Sequence, residues 1–108
     1  MRFLASVLLA AASLSAVQST QTFIGVITDS ECGGAGHAQM RMGPTDAECV
    51  VACVMAHGAQ YVLLDGKDVR LLSDQQSPER FAGQKVRVTG TFDASTRTIR
   101  VESIAAAN

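Results

Sequence analysis

Cys32, His37, Cys49 and Cys53 hold the most reactive side chains of this chain, and they fall within one short stretch. Thiolate and imidazole are preferred ligands of zinc and copper, and thiols outside the cytosol also pair as disulfides. The sequence has 3 Cys and 2 His in 108 residues, so both fates compete for one small set of groups. Cys49 and Cys53 stand four apart, a spacing that on a helix puts both side chains on one face. Such a pair can offer two thiolates to one ion, as two histidines do in metalloprotease helices. Cys32 and His37, on the preceding loop, supply the third and fourth ligands of a closed tetrahedral site suited to zinc. Met40 and Met42 follow His37. Their thioethers, added to thiolate and imidazole, shift the preference toward copper(I), although gap filling is the ordinary use of Met. His57 continues the row of Cys49 and Cys53, at the edge of the Gly58 that stops the helix.

A disulfide is the competing reading. Cys49 to Cys53 is a poor bridge, because four residues of helix separate the Cα atoms by about 6 Å, near the far limit for a disulfide. Cys32 with Cys49, or Cys32 with Cys53, is easier and would tie the loop to the helix. The odd number of cysteines leaves one over to bind metal, stay a thiol or pair with another chain. A periplasmic thiol redox protein is a third reading. No Cys-x-x-Cys-His motif is present, which argues against covalent haem, and Cys-x-x-x-Cys is not the thioredoxin spacing. Cys32 with His37, or Cys53 with His57, could form a nucleophile–base pair, but no third group is evident to orient the base. No catalytic constellation is complete, so the chain is expected not to be an enzyme. Asp29, Glu31, Asp46 and Glu48 flank the cluster without the spacing of a calcium loop. They are expected in solvent and at a helix N-terminus, where negative charge is favourable.

These residues must be positioned by a small set of elements. Thr22 to Thr28 reads as a strand with apolar residues on both faces, and Gly25 within it marks a bulge or a close backbone approach. Asp29 to His37 is a loop. Thr45 with Glu48 is a capping-box pattern that opens a helix through Ala56, with Gly58 as its stop. Tyr61–Leu64 and Val69–Leu72 flank Asp65-Gly66, a strong hairpin signal. Ser77 to Gly83 is one helical turn, with Ser as cap and Pro78 at its first position. Gln84 to Phe92 alternates, with Val86, Val88 and Phe92 on one face and Lys85, Arg87 and Thr89 on the other. Thr98 to Ile104 is the last strand, with Ile99 and Val101 inward. The row Lys85, Arg87, Arg97 and Arg100 is a solvated sheet face or a shallow partner surface. Five strands, with a helix between the first and second and a short helical turn between the third and fourth, match an OB-fold-like barrel: an all-β class with a helical insertion at 29–58.

The N-terminus has a different logic. Arg2, then an apolar run from Phe3 to Leu14, then small residues reads as a secretory signal peptide over 1–19, cleaved between Ser15 and Thr20. The run is too short to cross a bilayer comfortably, so no stable membrane insertion is expected after cleavage. Residues 20–108 form one domain, destined for the periplasm or the exterior. Without Arg2 the cations fall from 9 to 8 against 10 carboxylates, a net charge of −2. That charge, with no Trp and 5% aromatic residues, argues against a nucleic-acid partner. A domain of about ninety residues has a limited core and often needs a disulfide or a metal.

The segment Gly83–Phe92 followed by Thr98–Ile104 resembles the final hairpin of bacterial periplasmic OB-fold proteins. Asp29, Ser30, Cys32, Gly33, His37, Cys49 and Cys53 also resemble the pattern of a group of small uncharacterised bacterial secreted proteins. In those, an Asp-Ser-x-Cys-Gly segment, a His and a Cys-x-x-x-Cys helix precede such a barrel. The resemblance implies a fold and a secreted location, and no activity. The expectation is a secreted, non-enzymatic module that binds a metal ion, zinc or copper, or else a small ligand or protein partner on a disulfide-stapled barrel.

Overall fold

In the computed structural model, residues 19–31 and 44–107 are described. The expected signal peptide up to residue 18, and Cys32, His37, Met40 and Met42, lie outside the described residues. In chain order the elements are β1 (Gln21–Asp29), α1 (Asp46–His57), β2 (Tyr61–Asp65), β3 (Asp68–Leu72), a 3-10 helix (Ser77–Phe81), β4 (Lys85–Asp93) and β5 (Thr98–Ala106). The strands close into a ring in the order β1-β2-β3-β5-β4.

β1 makes that closure possible. Its first part pairs antiparallel with β4, from Gln21 opposite Gly90 to Val26 opposite Lys85. Its second part pairs with β2, from Val26 opposite Leu64 to Asp29 opposite Tyr61. A strand that serves two partners must bend where they meet, and Gly25 sits there. A Cβ at Gly25 would lie 2.5 Å from the Leu64 carbonyl oxygen, so only glycine fits. The expected close approach is therefore present. On the far side β3 and β5 pair in parallel, Leu71 with Thr98 and Leu72 with Ile99. The Ser73 hydroxyl prolongs this seam by accepting the Val101 N–H at 2.9 Å.

The inward residues of all five strands meet in one core of Ile27, Tyr61, Leu63, Leu72, Val86, Val88 and Ile99, joined by Val50 and Ala82. Each large apolar side chain buried there contributes about 1.5–3 kcal/mol. The alternation read along β4 holds: Val86 and Val88 are buried while Lys85 and Arg87 are exposed. The apolar residues on the two faces of β1 meet different surroundings. Phe23 and Ile27 face the core, but Ile24 and Val26 are 41% and 36% exposed, because the strand's period of two turns them outward. At one end of the ring Arg70 stacks over Phe23 and Phe92, at 5.4 and 5.6 Å from the ring centroids, and pairs with Asp65 and Asp68.

The 3-10 helix starts differently from expectation. Ser77 is its first residue rather than its cap. Gln76 is the cap position and makes no side-chain cap bond; just before it, Asp74 accepts the Gln76 and Ser77 N–H groups at 2.9 and 3.0 Å. One carboxylate oxygen accepts both bonds. Bonds from Ser77, hydroxyl first and then backbone, hold the Asp74 carboxyl below its ordinary range.

Candidate metal centre

α1 is fixed at both ends by local chemistry. The Thr45 side chain accepts the Glu48 N–H at 3.2 Å, the N-cap half of the expected capping box, and the Thr45 hydroxyl donates to the Glu48 carboxylate at 3.2 Å in place of the backbone bond that would close the box. Asp46 and Glu48 lie in the first turn, where the helix dipole favours them. Gly58 ends the helix in the left-handed conformation at φ 67°, with its N–H on the Cys53 carbonyl. The Ala59 N–H reaches the same oxygen at 3.4 Å.

Both thiols sit on the buried side of this helix. Cys49 and Cys53 have no exposed surface, and with Ala59 they form a small cluster of their own. Val54 packs against both this cluster and the main core. The cysteines are not joined to one another. Val50, on the adjacent side of the helix, belongs to the core of the ring. α1 thus uses one stripe to pack on the sheet and a second to enclose two thiols.

The base of the insertion is tied shut. As β1 ends, the Ser30 N–H donates to the Gln60 carbonyl at 2.8 Å. The Gln60 N–H returns a bond to the Ser30 hydroxyl at 2.9 Å. The chain therefore leaves the ring after Ser30 and returns at Gln60 at a single point, and Gln60 adjoins the Ala59 of the cysteine cluster. Gln75 holds the returning strand. Its amide donates to the Tyr61 and Leu72 carbonyls at 2.9 and 2.8 Å, and its carbonyl accepts the Tyr61 N–H at 2.7 Å. Nothing in the sequence marks Gln75 for this role.

The flanking carboxylates divide. Glu31, Asp46 and Glu48 are exposed, as expected. Asp29 is not in solvent: it is fully buried at the end of β1, with one oxygen accepting the Glu31 N–H at 3.0 Å. Its position in the ladder opposite Tyr61 draws it inside, which no loop-like sequence pattern announces. His57 is the last residue of α1 and is exposed, so it lies apart from the two enclosed thiols. Among the described residues no three His, Cys, Asp or Glu side chains gather around one point. A separate groove of about 480 Å³ runs between α1 and the 3-10 helix, lined by Val51, Ala52, Met55 and Arg80, and neither thiol borders it. Among the described residues no helix is long and apolar enough to cross a membrane.

A family model described as a protein of unknown function (DUF5818) matches residues 53–107. That span begins at Cys53, within α1, and takes in β2 to β5. Neither the curated proteins nor the solved structures gave a match.

Proposed function

The chain belongs to the DUF5818 family of proteins of unknown function, and we propose that it is an exported, non-enzymatic module that holds zinc or copper(I) through Cys32, His37, Cys49 and Cys53. The observation that carries this reading is the tie between Ser30 and Gln60. Ser30 stands two residues before Cys32 in the sequence. Ala59, next to Gln60, packs on Cys49 and Cys53. The point where Ser30 and Gln60 meet therefore adjoins the residue that packs on the enclosed thiols. Two thiols one helical turn apart, removed from water, are a favourable half-site for a soft ion. Enclosure also counts against the thiol redox reading, since exchange needs a sulfur that a partner can reach.

The ring order β1-β2-β3-β5-β4, with β1 shared between β2 and β4 and a helical turn between β3 and β4, supports an OB-fold-like barrel as the scaffold. Residues 1–19 support export by their composition.

The same tie favours one second reading, in which Cys32 bridges Cys49 or Cys53 and staples the insertion to a ligand- or protein-binding barrel. The two readings part on a substitution. Under reducing conditions, Cys53→Ser is expected to lower bound zinc or copper from about one ion per chain to near zero, since losing one of four ligands opens a structural site. Elemental analysis of the purified protein measures this. Unchanged metal content in the folded variant would remove the four-ligand site.

A further inference from the structure

We infer that the outer face of β1, β4 and β5 is a docking surface for a partner protein that presents carboxylates beside apolar side chains. The ladder registers set three rows across this face. Thr22, Thr89 and Ser103 form one, Ile24, Arg87 and Ala105 the next, and Val26 and Lys85 the third. Residues directly opposite in an antiparallel ladder share a face and touch, so each apolar residue of β1 stands beside a cation of β4. Ile24 and Val26 are, with Met55, the large apolar side chains left exposed among the described residues. Lys85, Arg87 and Arg100 are exposed and, among the described residues, make no ion pair.

Charge is separated along the fold although the whole chain is close to neutral. The β4–β5 hairpin carries four cations, Lys85, Arg87, Arg97 and Arg100, against Asp93 and Glu102. The hairpin therefore carries a net charge of +2, four cations less two carboxylates. Asp93 accepts the Ser95 N–H and hydroxyl at 2.9 and 2.6 Å, and Glu102 accepts the Thr20 hydroxyl at 3.4 Å. The described residues before the hairpin carry three cations against eight carboxylates. The cationic face thus selects an acidic partner and repels a second copy of itself across a two-fold axis. The apolar residues lie level in a sheet rather than on a protruding loop. That geometry suits a complementary protein surface and not insertion into lipid. The hydroxyl row offers further hydrogen bonds, and apolar contact ringed by polar groups is the usual interface anatomy.

The test is a titration of the isotopically labelled chain with a synthetic peptide of alternating glutamate and leucine, followed by amide chemical shifts. The expected shifts fall on Thr22–Val26, Lys85–Thr89 and Ser103–Ala105. Arg87→Glu should weaken the peptide by about tenfold, and Ile24→Ser by several-fold, with the dispersed amide spectrum of the folded chain retained in both. Affinity should fall as salt rises. Shifts centred on the α1 groove, or an equal response to a lysine–leucine peptide, would overturn the proposal. So would concentration-dependent shifts of the same residues without peptide, which would assign the face to self-association. Arg87-dependent sedimentation with phosphatidylglycerol vesicles, without peptide binding, would assign it to a membrane surface instead.

Discussion

Gln75 shows how much one side chain can decide. Its amide imitates a strand at the start of β2, satisfying both backbone groups of Tyr61 and the Leu72 carbonyl. Gln75→Ala leaves those groups without their partner, and an unsatisfied buried polar group costs about 1–3 kcal/mol. For a domain of this size that is a drop of several degrees in melting temperature, at about 4–8 °C per kcal/mol. An unchanged melting curve would contradict the clamp. Asp74 carries a pH dependence. Its folded pKa is depressed by Ser77, so its contribution is present above the unfolded value and lost as pH falls through the folded one. Asp74→Asn should therefore lower the urea midpoint at pH 7 and leave a shallower decline below about pH 4 than the parent shows. A parallel decline would mean that Asp74 is not the group titrating there. At this scale the sequence is partly legible. The shared face of Cys49 and Cys53 follows from their spacing, whereas the burial of Asp29 and the reach of Gln75 depend on neighbours distant in the chain.

The elements are legible where their ends are written in local chemistry. Thr45, Glu48 and Gly58 mark α1 at both termini, Asp65-Gly66 marks the β2–β3 turn, and the alternation of β4 marks its faces. Thr45→Ala removes the bond to the Glu48 N–H and should destabilise the protein by about 1 kcal/mol. Because α1 carries both enclosed thiols, the variant should also release metal to a chelator faster than the parent, and equal release rates would separate the helix from the site. The parallel seam of β3 and β5 could not be read from any local pattern. It joins Leu71 and Leu72 to Thr98 and Ile99, and periodicity specifies which face a strand buries, not which strand lies beside it. The start of the 3-10 helix differs for a related reason: Ser77 has a cap's chemistry, but the Asp74 carboxylate holds the Gln76 and Ser77 N–H groups and the helix begins at Ser77 itself.

For the molecule as a whole, the closed ring is a frame with one tied insertion. Pairing of Ser30 with Gln60 closes the base of the 31–59 segment, and a domain of about ninety residues gains from any further closure, whether by metal or by disulfide. The central claim is that a transition metal supplies it. The most direct measurement is a native mass spectrum of the chain, purified without reductant or chelator. The account predicts a mass raised by one zinc or copper ion, falling to the reduced apo mass on acidification as the ligands protonate. A metal-free mass lower than the reduced chain by two hydrogens, about 2 Da, would mean a disulfide instead. It would contradict the metal site and leave the cysteines as a staple for the frame.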